Sequence, residues 1–134
     1  MRMKFQRASL MLVVLATLFL SANIALAQDD TIPKKRLRSP ATVRGFIGGE
    51  LHDSYVIHAS KGQLLRVQIS WRREDDNYAQ FTVSESSTFG EQAKFGKESA
   101  KGKRWSSRIS RTGNYYIYVI AHPAAHYKLR VVVR

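Results

Sequence analysis

At 134 residues, 44% of them apolar and 24% charged, the chain has room for one domain and one hydrophobic core. It contains no cysteine, which excludes disulfide stapling, thiol catalysis and cysteine-based zinc sites, so packing alone must hold the fold. The 22 basic and 10 acidic residues give a net charge of +12, which favours anionic partners.

The N-terminal stretch reads as an export signal. Arg2, Lys4 and Arg7 supply a positive flank, and Leu10 to Leu20 is apolar except for Thr17. Ala25-Leu26-Ala27 then gives the small-x-small pattern of a cleavage site, placing the cut between Ala27 and Gln28. The apolar run is short for a membrane span. With the leader go three basic residues, leaving 19 basic against 10 acidic, or +9. The expected location is periplasmic or secreted, where the anionic partners on offer are phosphorylated glycolipids, acidic wall polymers and membrane surfaces rather than nucleic acid.

Residues 28–40 are polar and basic, bracketed by Pro33 and Pro40, with Lys34, Lys35, Arg36 and Arg38 in a compact run. This segment reads as a flexible arm preceding a domain over 41–134. From there the pattern is strand-like. Thr42 to Ile47 is a short strand stopped by Gly48-Gly49. His52 to Ala59 is a second, with Tyr55, Ile57 and Ala59 on one face and Ser54, Val56 and His58 on the other. Ser60-Lys61-Gly62 turns the chain. Gln63 to Trp71 alternates most clearly: Leu65, Val67, Ile69 and Trp71 face one way, Arg66, Gln68 and Ser70 the other. A period of two is what a half-buried strand requires, because successive side chains leave opposite faces.

Arg72 to Asn77 is charged and turn-like. Tyr78 to Ser84 is a strand with Tyr78 and either Phe81 or Val83 inward. Residues 85–102 are weakly patterned, with Phe89 and Phe95 expected to fall back on the core. Lys103 to Ile109 is a strand anchored by Trp105 and Ile109, and Ser110 to Gly113 is a turn. Asn114 to Ala121 is a strand that places Tyr115, Ile117 and Val119 opposite Tyr116, Tyr118 and Ile120. After His122-Pro123-Ala124-Ala125, the closing strand alternates Tyr127, Leu129, Val131 and Val133 with Lys128, Arg130, Val132 and Arg134. About eight short strands separated by turns, with no helix after the leader, predict an all-β fold, an antiparallel sandwich or barrel.

Tyr55-Val56-Ile57-His58-Ala59-Ser60-Lys61-Gly62-Gln63 followed by Leu65-x-Val67-x-Ile69 resembles the "Y-x-F-x-A-x-x-G-Q" strand pair of bacterial prepeptidase C-terminal (PPC) domains. Trp105, Ile109 and Thr112-Gly113-Asn114-Tyr115-Tyr116-Ile117-Tyr118-Val119 resemble their "W-x-x-x-L-x-x-x-G-x-Y-x-I-x-V" segment, and Tyr127-x-Leu129-x-Val131 their last strand. The resemblance runs from Thr42 to Val133 and rests on core and turn positions. It implies a jelly-roll-like antiparallel β-sandwich of about eight strands. Stand-alone periplasmic members of the family are similar to inhibitors of goose-type lysozyme, whose contacts would come from loops at one end of the sandwich.

Candidates for chemistry are few. His52 lies beside Asp53, but no G-x-S-x-G elbow accompanies them, so a hydrolytic triad would have to assemble in space. His122 and His126 are four apart, a metal-binding spacing on a helix, but Pro123 and the strand context oppose a helix. Glu74-Asp75-Asp76-Asn77 offers oxygen ligands without the spaced carboxylates and glycine of a calcium loop. The reading therefore assigns no catalytic residue, no metal and no cofactor. The most suggestive feature is an outward face. Strands joined by a hairpin are usually neighbours, which would bring Tyr116, Tyr118, Lys128 and Arg130 onto one surface. Aromatic and basic side chains together suit sugar rings, anionic polymers or a protein partner; ordinary cross-strand pairing, or burial beneath a loop, is the more common reason for such a face. The expected function is an exported, non-enzymatic module that binds an anionic envelope glycan or a protein. The alternatives are a periplasmic inhibitor of goose-type lysozyme and a hydrolase built on His52 and Asp53.

Overall fold

The computed structural model describes residues 34–134, so the expected leader with its Ala27/Gln28 cleavage site and the first residues of the arm lie outside it. The described chain is all β, with ten strands: β1 (Lys35–Arg36), β2 (Ala41–Gly48), β3 (Asp53–Ala59), β4 (Leu64–Trp71), β5 (Tyr78–Ser84), β6 (Lys94–Phe95), β7 (Lys97–Ser99), β8 (Gly102–Arg108), β9 (Gly113–His122) and β10 (Ala124–Val133). They form two five-stranded sheets. Sheet I has the order β1-β3-β9-β5-β6 and sheet II the order β2-β10-β4-β8-β7. All pairings are antiparallel except β1 with β3. The count exceeds the expected eight because β1, β6 and β7 have only two or three residues, too few to carry a period.

Alternation in the long strands builds the core. Tyr55, Ile57 and Ala59 of β3, Phe81 and Val83 of β5, and Ile117 and Val119 of β9 point inward from sheet I. Leu65, Val67 and Ile69 of β4 with Tyr127, Leu129 and Val131 of β10 meet them from sheet II. Each of these large side chains contributes about 1.5–3 kcal/mol by leaving water. Ile109 is buried, and Trp105 and Trp71 pack on the core margin. Two glycines are required by close approach. Tyr127 lies over Gly45, where a Cβ would come 2.7 Å from the phenol oxygen; Gly102, at φ +141, would place one 2.0 Å from the Ile69 carbonyl oxygen.

Three expectations need correcting. The basic arm is not free over its described part: Lys35 and Arg36 pair with Tyr55 and Val56, Leu37 is buried, and Ser39 exchanges hydrogen bonds with the Val133 backbone. Tyr78 is exposed, because the inward positions of β5 are Ala79, Phe81 and Val83. Phe89 and Phe95 stay half exposed, at 50% and 58%, instead of entering the core. The loop bearing Phe89 crosses the outer face of sheet I instead. Tyr118 donates to the Ser87 carbonyl (2.6 Å), Ser84 to the Glu91 carbonyl (2.5 Å) and Lys34 to the Ser87 carbonyl (2.8 Å).

Candidate binding surfaces

The expected Tyr116, Tyr118, Lys128 and Arg130 surface does not form. β9 and β10 are consecutive, but β9 lies in sheet I and β10 in sheet II, so the two halves of the group sit on opposite sides of the sandwich. The turn at His122-Pro123 crosses between sheets instead of closing a hairpin within one. Tyr118 is only 2% exposed, covered by the 85–92 loop, with the Phe89 ring 5.2 Å away edge-on. Burial raises its phenol pKa. Tyr116 is half-buried, with the Lys34 ammonium 4.9 Å above its ring. Lys128 and Arg130 project from the exposed face of sheet II.

Nor does His52–Asp53 assemble as a catalytic pair. Asp53 turns into the sandwich, where Tyr127 donates to its carboxylate at 2.5 Å and Tyr55 and Tyr127 share a 2.5 Å hydrogen bond. Burial first of all, then donation to Asp53, holds the Tyr127 phenol far above its ordinary pKa. His52 turns to the outer side, its ring stacked 4.4 Å from Phe89 and its Nε2 without a hydrogen-bond partner among the described residues. Burial lowers the imidazole pKa, with Asp53 opposing.

His122 and His126 also part: one ring lies 5.8 Å from Tyr78, the other 4.7 Å from Phe46. Among the described residues no group of three or more His, Asp or Glu converges to hold a metal. The Glu74–Asn77 acids form a tight turn in which Asp75 and Asp76 adopt positive φ values of 46 and 57. Asn77 organises that turn. Its Oδ1 accepts from the Glu74 N–H, and its Nδ2 donates to the carbonyls of Arg72 and Ala124.

The surface that sequence reasoning missed is one end of the sandwich. The register brings three connections there: 49–52, 72–77 and His122-Pro123. They are tied together by Gly49 N–H to the Pro123 carbonyl (3.0 Å), by Asn77 and by the Trp71 indole donating to the Asn77 carbonyl (3.1 Å). Around this end stand Phe46, Leu51, Tyr78 and Phe89, four of the five large hydrophobic residues with high exposure among the described residues. Three of the chain's four histidines lie against three of them: His126 on Phe46, His122 on Tyr78 and His52 on Phe89. These four residues are scattered over four segments, so only the fold brings them to one end. Exposed apolar side chains around the end of a scaffold fixed by hydrogen bonds have the character of a protein interface.

No family model matches the sequence, and no curated protein matches it. Solved structures do. PliG of Aeromonas hydrophila, a periplasmic inhibitor of g-type lysozyme, superposes with a TM-score of 0.61 at 19% identity, covering 75% of this chain and 96% of that one. The pre-peptidase C-terminal domain of a Bacillus anthracis collagenase gives 0.59 at 18%, covering 75% and 94%. Salmonella Typhimurium PliG, also a periplasmic inhibitor of g-type lysozyme, gives 0.54 at 17%, covering 75% and 98%. The two-sheet sandwich of this chain is thus the fold that PPC domains and the periplasmic g-type lysozyme inhibitors share.

Proposed function

We propose that this chain is an exported, periplasmic, non-enzymatic protein that docks the aromatic end of its sandwich on a goose-type lysozyme and inhibits it. The observation that carries the reading is the placement of Phe46, Leu51, Tyr78 and Phe89, all exposed, around the end of the sandwich where the 49–52, 72–77 and His122-Pro123 connections are hydrogen-bonded to one another. Aromatic anchors supply most of the energy of protein interfaces, and a prefixed surface loses little conformational freedom on binding. The correspondence over nearly the full length of two periplasmic inhibitors supports the choice of partner. Separation of His52 from Asp53 removes the one pair the sequence offered for hydrolysis. The test is the lytic rate of a goose-type lysozyme titrated with the purified protein. Loss of activity near equimolar ratio supports the proposal, whereas an unchanged rate at micromolar excess refutes it.

A further inference from the structure

The outer face of sheet II carries a second surface, on the broad side of the sandwich, whose rows run up to the Phe46–His126 pair of the aromatic end. In-register pairing lays cations across it in rows. Arg44 stands opposite Lys128. Thr42, Arg130, Gln68, Arg104 and Lys97 form a continuous row over all five strands, and Arg66 lies in the next row between Val132 and Ser106. All six cations are exposed, and none takes part in an ion pair among the described residues. The one acid in the strands of this sheet, Glu98, alternates to the other side and pairs with Lys103. Two of the pairings, Arg44 with Lys128 and Arg104 with Lys97, set like charges directly opposite each other, which destabilises a sheet. A bound polyanion would relieve that repulsion.

We propose that this face binds an acidic polysaccharide. Rows about 7 Å apart on strands about 4.8 Å apart present cations at a density that suits a polymer of closely spaced anions. Thr42, Gln68, Ser70 and Ser106 stand between the cations and offer hydrogen bonds to hydroxyls. A groove of about 530 Å³ continues the face toward the aromatic end, with Arg44, Arg72 and Lys128 on its walls. The apolar side chain within these rows is the half-buried Val132, too little for insertion into a membrane. This inference is independent of lysozyme inhibition, and the residues chosen to test it lie outside the aromatic end.

The experiment measures retention of the protein on alginate resin against neutral dextran resin, with increasing salt. Wild type binds alginate alone and elutes as salt screens the contacts, since exposed charges interact over only about 10 Å at 0.1 M. Arg66→Thr/Arg104→Thr/Arg130→Thr weakens binding about tenfold, a few-fold per exposed cation. Lys61→Thr/Lys94→Thr/Arg111→Thr removes the same charge elsewhere and leaves binding within about twofold. Arg104→Thr alone shows the same direction with a smaller loss, and the face triple melts no lower than wild type because repulsion is relieved. Equal weakening by both triples would overturn the proposal, as would absence of retention. Tighter binding to phosphatidylglycerol vesicles or duplex DNA than to alginate would overturn the assigned occupant.

Discussion

Replacing Asn77 by alanine tests whether the aromatic end is locked by one buried amide. Asn77 is 8% exposed, and its side chain makes three hydrogen bonds of 2.9–3.0 Å: one from the Glu74 N–H and one each to the carbonyls of Arg72 and Ala124. Each such bond contributes about 1 kcal/mol net, and the alanine variant leaves three backbone groups without a partner, so the expected loss is about 3 kcal/mol. That is a large share of the roughly 5–15 kcal/mol available to a domain of this size. It corresponds to a fall in Tm on the order of 15 °C. Urea denaturation followed by tryptophan fluorescence should show a lower midpoint with an unchanged slope. Asn77→Asp is as damaging or worse, because it keeps the acceptor for Glu74 but turns an oxygen toward two carbonyl oxygens. A loss below about 1 kcal/mol in the alanine variant would refute the reasoning, since three part-buried bonds lost together should cost more.

Other consequences can be measured separately. Tyr127→Phe removes the donor to Asp53 and the partner of Tyr55, and should cost about 1–3 kcal/mol in chemical denaturation with the far-UV spectrum unchanged. The folded state raises the phenol pKa of Tyr55, Tyr115, Tyr118 and Tyr127, burial being the leading cause in each. Unfolded tyrosines ionise near pH 10, so this contribution to stability is complete below about pH 10 and is lost as pH climbs toward the folded values; denaturation midpoints at pH 8 and 11 should reveal the fall. The lowered His52 pKa has the opposite sign: its contribution is present above about pH 6.5 and lost on acidification, so His52→Leu should flatten the stability profile between about pH 7 and 5. At the aromatic end, Phe46→Ala should weaken inhibition of a goose-type lysozyme at least about fivefold while leaving Tm nearly unchanged, because the ring is 58% exposed.

Much of the fold was legible in the alternation. Leu65, Val67 and Ile69, and Tyr127, Leu129 and Val131, face the core as a period of two requires. Strands of two or three residues leave no such trace, and β1 escaped because Lys35 and Arg36 read as a charged tether although backbone hydrogen bonding takes no notice of side-chain charge. The site was less legible. Alternation separates Tyr118 from the core face but cannot say that residues 85–92 fold over it. Hairpin adjacency, sound for most consecutive strands, fails at His122-Pro123, and with it the grouping of Tyr116 and Tyr118 with Lys128 and Arg130. The cationic rows of sheet II depend on which strands neighbour β10, and β2 and β4 come from distant parts of the sequence. A partial signal was present: Arg66, Lys128 and Arg130 all occupy outward positions in alternating strands.

The most direct test of the account is calorimetric titration of this protein into a goose-type lysozyme, with a Phe46→Ala/Phe89→Ala variant alongside. The account predicts a one-to-one complex with Kd below about 1 µM, weakened by more than about tenfold in the variant. No complex, or one that the variant forms equally well, would contradict the assignment of the aromatic end as the inhibitory surface.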